Sequence, residues 1–245
     1  MRVGMYVDGF NLYYGGRAVC GRGQPGWRWL DLRDLGKRLV DNSAWSNHGA
    51  RLEKIVYCTA HVKGNVNPVG RREQDTYIRG LIEHGSIDRL ELGKYISRAK
   101  CALLATQDHK GRPVPCKPAW PVMVRHGSTA QDITEANFLV SYQHIEEKGS
   151  DVNVAANLLL DVLNSRVDAA IVISNDSDLR FPIQECRERV PVGTVNPGQS
   201  LLAGDLRGEM DDGVGDHWWY RLKNLDYESC QLPDPAGSAA KPAGW

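Results

Sequence analysis

The sequence predicts an α/β fold: a central, mostly parallel sheet with helices on both faces, three layers in all. Three observations predict it. Residues 170–174, Ala-Ile-Val-Ile-Ser, are a short apolar run with β-branched members, the pattern of a strand buried on both faces. Residues 3–7, Val-Gly-Met-Tyr-Val, have the same form, and both runs end in acids: Asp8 after the first, Asp176 and Asp178 after the second. Helical periodicities alternate with further apolar runs between and after them, which implies a parallel sheet with right-handed crossovers.

In chain order, residues 2–7 are the first strand. Residues 11–26 are glycine-rich and read as a loop beside the first acid. A helix starts near residue 31, with Asp31 as N-cap and Leu32, Leu35 and Leu39 on its apolar face. Residues 52–60 hold a second strand around Ile55-Val56-Tyr57-Cys58. Residues 68–83 form a helix that Pro68 can open, with Tyr77, Ile78, Leu81 and Ile82 facing inward. Residues 87–104 hold one or two strands. Residues 106–121 read as a loop, because Pro113, Pro115, Pro118 and Pro121 oppose continuous structure.

Residues 151–160 form a helix that is apolar nearly all round, hence central and buried. Ser150 or Asp151 would cap it. A helix over 179–189 and a strand over 191–195 complete the alternation. The predicted domain is residues 1–200, with a basic, proline-containing insertion near 91–126. Residues 201–245 are a C-terminal extension, and the last 15 or so, rich in Pro, Ala and Gly, are expected to be disordered.

The 245 residues suffice for one large core, and formal net charge is zero. The charge is uneven: residues 91–126 carry seven Lys/Arg against Glu91 and Asp108, and residues 201–245 carry four against eight Asp/Glu. A basic stretch meets phosphates or is a solvated surface; both readings stand here. The six cysteines include no CxxC, which disfavours zinc. Without a signal-like start or a membrane-length apolar stretch, the expected setting is the cytoplasm, with no membrane partner.

If both acid-ended strands lie parallel in one sheet, Asp8, Asp176 and Asp178 reach one crevice at its carboxyl end, where open α/β sheets bind ligands. Two such charges about 4 Å apart repel by about 4 kcal/mol at an effective dielectric of 20. A hard divalent cation, Mg²⁺ or Mn²⁺, relieves that repulsion.

These residues carry a resemblance. Tyr6-Val7-Asp8-Gly9-Phe10-Asn11, Lys148-Gly149-Ser150-Asp151-Val152-Asn153 and Ser174-Asn175-Asp176-Ser177-Asp178 occur in the order of three motifs of NYN domains, over about residues 2–197. The resemblance implies a PIN-like three-layer sandwich and a metal-dependent ribonuclease. Carried over, Asp8, Asp151, Asp176 and Asp178 would hold the metal and activate water. Asn11, Arg17, Arg22, Lys148, Ser174 and Asn175 would bind the RNA substrate, and Tyr13, Tyr14, Trp27 and Trp29 would stack on bases. Many such domains have an acid where this chain has Asn157. The alternative is a PIN-like module that binds RNA or a protein without cutting. A homodimer through an edge strand or Trp218-Trp219-Tyr220 is a further expectation.

Overall fold

The computed structural model describes residues 1–245. The elements run β1 (Arg2–Asp8), α1 (Gly9–Cys20), α2 (Leu32–Asp41), β2 (Arg51–Thr59), α3 (Pro68–Glu83), β3 (Arg89–Leu92), β4 (Lys94–Leu103), β5 (Ala105–Gln107), β6 (Pro113–Pro115), β7 (Leu139–Lys148), α4 (Ser150–Leu163), β8 (Ala169–Ile173), α5 (Arg180–Arg187), β9 (Val192–Asn196), α6 (Gly204–Arg207), β10 (Trp218–Arg221) and α7 (Asn224–Ser229). They form two compact units, residues 1–95 with 147–245, and residues 96–146.

The larger unit is built on a six-stranded sheet in the order β10-β9-β8-β1-β2-β3. Each neighbouring pair is parallel. The expected α/β class with helices on both faces is therefore observed. Alternation along β1 sorts its side chains: Val3, Met5 and Val7 enter the core with α2 and α3, while Tyr6 enters the core with α4 and α5. The chain leaves β1 through β2 to β3 on one side, then returns to β8, β9 and β10 on the other. The strand order thus reverses between β1 and β8, the switch point at which such sheets leave a crevice.

Local chemistry sets the helix starts. Asp31 Oδ1 accepts from the Arg33 and Asp34 amides and from Ser86 Oγ, as a cap of α2 should. Asn67 Oδ1 accepts from the Gly70 amide, and Pro68 follows in the first turn of α3.

Three expectations are corrected. Residues 9–20 are a helix, not a loop. The misleading glycines are there for close packing: a Cβ at Gly15 would lie 2.6 Å from the Pro197 backbone, and one at Gly16 2.8 Å from the Tyr227 ring. Helix α4 is not buried all round. It turns Val154, Leu158 and Val162 to the sheet and leaves Val152, Leu160 and Leu163 exposed. The C-terminal residues are ordered parts of the larger unit. β10 extends the sheet, the Leu232 amide donates to the Trp29 carbonyl at 2.8 Å, and Leu232, Ala236 and Ala239 are core residues.

The smaller unit holds a β5–β6 hairpin where the prolines predicted a loop. Asp108 builds its turn by accepting from the Lys110 and Arg112 amides, and Pro113 and Pro115 flank Val114 in a strand with free edges, where prolines are tolerated. Its basic residues are largely answered: Arg112 pairs with Asp108, Lys117 with Glu135, and Arg125 with Asp132. The basic insertion is therefore a charge-paired surface.

Candidate active site: two cavities that share helix α1

Helix α1 begins at the carboxyl end of β1, and Asp8 starts it. Asp8 Oδ1 accepts from the Phe10 and Asn11 amides at 3.1 and 3.0 Å, and Oδ2 accepts from Ser174 Oγ at 3.1 Å. The side chain is buried, and burial pushes its carboxyl above the usual range despite these bonds. The neighbouring strand end is laced to the same helix: the Asn175 amide donates to Asn11 Oδ1 at 3.0 Å. Asn175 is otherwise engaged with Ser200, Leu201 and Ala203.

On one side of α1 lies a polar cavity of about 650 Å³, bordered by Asp8, Asn11, Glu147, Lys148, Asp151 and Asp176. Asp8, Asp151 and Asp176 all border this switch-point crevice. Asp151 is not the cap of α4. Gly149 occupies the cap position with φ of 99°, and Glu147 Oε1 accepts from the Ser150 amide and hydroxyl. Asp176 Oδ1 closes a turn by accepting from the Asp178 amide at 3.0 Å.

Other expected residues lie elsewhere. Asp178 is exposed in the short 3₁₀ turn over Ser177–Leu179 and does not border the cavity. Asn157 is tied within α4, its amide donating to the Asn153 carbonyl, and Arg22 sits in an exposed turn. Ser174 is buried and acts through Asp8 and the Asp176 amide. The residue that sequence reasoning missed is Glu147; it stands beside the quoted Lys148-Gly149 motif. No three His, Cys, Asp or Glu side chains come together as a metal-holding group. The hard oxygen donors suit Mg²⁺ or Mn²⁺ in kind but are not gathered closely enough to hold it.

On the other side of α1 is an aromatic cavity of about 340 Å³. Phe10, Tyr13, Tyr14 and Arg17 recur at helical spacing along α1 and supply one wall. Trp27, Tyr57, Tyr77, Tyr95, Tyr227 and Trp245 supply much of the rest, so nine lining residues are aromatic, the wall expected for a planar ring. Burial and the nearby Asp8 charge raise the Tyr57 hydroxyl, so it stays a neutral donor at neutral pH. Phe10 and Tyr14 border both cavities. Of the predicted stacking residues, Tyr13, Tyr14 and Trp27 line this cavity, whereas Trp29 is core, its Nε1 donating to the Pro233 carbonyl. Arg17 also lines it.

No family model matches the chain. A relative in Pseudomonas putida (strain DSM 28022 / S16), 6-hydroxy-3-succinoylpyridine 3-monooxygenase HspA, is 28% identical over 95% of this chain and 70% of its own length. A solved structure of a protein of unknown function from Vibrio parahaemolyticus, VPA0982, covers 92% of this chain and 94% of its own at 14% identity, with a TM-score of 0.46. The ribonuclease expectation is corrected by the first of these: a relative spanning nearly the whole chain is an oxygenase. RNA recognition falls with it, both as cleavage and as the non-cutting module. No helix is long and apolar enough to cross a membrane.

Proposed function

We propose that this chain is an oxidative enzyme that adds one atom of dioxygen to a small aromatic ring. The observation that carries the reading is the monooxygenase relative aligned over 95% of the chain, which is named for a hydroxylated pyridine. The aromatic cavity beside the acidic one supports it, since together they offer a slot for a ring and carboxylates to manage protons.

The reaction balances as ring C–H plus dioxygen, two electrons and two protons giving ring C–OH and water. The electrons come from a diffusible donor of the reduced nicotinamide or flavin class. The chain's residues do the rest. The aromatic wall packs around the ring and excludes water. Tyr57, kept neutral, donates a hydrogen bond to a ring substituent. Asp8, held protonatable by burial and reached past Phe10 and Tyr14, receives the proton that the oxidised carbon releases.

The test is turnover under ¹⁸O-labelled dioxygen with a reduced nicotinamide, with and without added flavin, on a panel of hydroxypyridines. One labelled oxygen atom in the product is expected. Absence of product across the panel, or label arriving from water, would overturn the reading.

A further inference from the structure

We infer that the ring taken up by the aromatic cavity carries a carboxylate, and that Arg17 receives it. The inference rests on the oxidative reading, whose relative is named for a ring that bears a succinoyl group and hence a carboxylate, and deepens it by naming the residue that receives that carboxylate.

Arg17 follows Phe10, Tyr13 and Tyr14 along the cavity face of α1, at the last turn of the helix. Its guanidinium forms no hydrogen bond and no ion pair within the chain, unlike Arg28 on the same lining. Arg28 donates to the Gly244 carbonyl at 2.6 Å and lies over the Trp27 and Trp245 rings, at 5.9 and 5.2 Å from their centroids. Arg28 is therefore a strut of the wall, and Arg17 is the free cation. Glu73 also lines the cavity but pairs with neither arginine.

A second observation is the make-up of the lining. Nine of the residues that line this cavity are aromatic, and Arg17 and Arg28 are its two cations. A cavity with aromatic walls and an unpaired planar guanidinium has a cation in need of an acceptor. An aromatic acid supplies both needs: the ring fills the walls, and the carboxylate oxygens accept, two of them from Arg17 in a forked pair.

The test is binding without turnover, by titration calorimetry and by quenching of tryptophan fluorescence, with 6-hydroxynicotinate against its neutral relative 2-hydroxypyridine. The wild type should bind the acid at least about tenfold more tightly than the neutral ring, the worth of one charge-assisted bond. Arg17→Gln should cost the acid about tenfold and leave the neutral ring within about twofold. Arg17→Lys should fall between, because it keeps the charge and loses the fork. Equal affinity for both rings in the wild type, or an equal loss for both in Arg17→Gln, would overturn the inference. Acid binding without oxidation would leave it standing and overturn the oxidative reading; oxidation of neutral rings with no preference for acids would do the reverse.

Discussion

Asp8 performs two tasks that a single substitution separates. Its oxygens start α1 and hold Ser174, while its ionisation serves the polar cavity. Asn keeps an acceptor for the helix start and loses the proton site. Asp8→Asn should therefore melt near the wild type yet lower kcat by about a hundredfold, the usual worth of a positioned acid-base group. The pH dependence has a definite sign. The folded carboxyl is raised, so the stability it contributes is complete below the ordinary carboxylate pKa and is lost as pH rises through the folded value. Wild type should gain melting temperature relative to Asp8→Asn as the pH falls from 7 towards 4. A constant difference across that range would refute the assignment. Asp161 is the contrasting case. It is 1% exposed and accepts from Tyr6 Oη at 3.0 Å and Lys54 Nζ at 2.6 Å. Burial alone would raise its carboxyl, but the bonds from Lys54 and Tyr6 hold it low. Asp161→Ala should cost about 3 kcal/mol in denaturant unfolding, because Tyr6 and Lys54 lose their partner, and should leave ring binding unchanged.

At the scale of elements, α1 matters most, and it was the element least legible in the sequence. Its two glycines read as breakers, because propensity charges about 1 kcal/mol for a glycine in a helix. What overrides propensity is contact with distant chain: Gly15 with Pro197, Gly16 with Trp27 and Tyr227. Such contacts have no local signature. Gly15→Ala would gain about 1 kcal/mol of helix propensity and lose about 1–3 to overpacking, so a net loss of melting temperature is expected. A gain would mean that α1 can slide away from the Pro197 turn. The strands were easier to read, since β1 and β8 are buried on both faces and so appear as unbroken apolar runs. Two acids of the crevice were legible for the same reason: Asp8 follows the first run directly and Asp176 follows the second after Ser174-Asn175, whereas Asp151 and Glu147 follow neither. The aromatic cavity was not, because its walls come from α1, β2, α3 and the chain's last residues, which only the fold brings together.

For the whole molecule, the C-terminal residues close one side of the larger unit. Composition suggested disorder, since Pro, Ala and Gly bring little apolar surface. Small residues are what the place requires: Ala236 and Ala239 are fully buried and bridge each other. The segment is held by Leu232 on Trp29 and by Glu83, which accepts from both the amide and the hydroxyl of Ser238. Trp245 then packs on Trp29 and Tyr77, with ring centroids 6.2 and 5.8 Å away, and borders the aromatic cavity. Removing residues 233–245 takes away that tryptophan, the acceptor for Trp29 Nε1, and part of the cavity wall. Burial of one large aromatic is worth about 1.5–3 kcal/mol, and the orphaned Trp29 donor adds about 1–3. The truncated chain should lose roughly 3–5 kcal/mol of unfolding free energy. Its affinity for 6-hydroxynicotinate should fall more steeply than that of Trp245→Ala, which opens the wall but keeps the strap. A truncation that unfolds like the full chain would mean that the segment lies on the core without contributing to it, and the cavity would then have to be drawn without its outer wall.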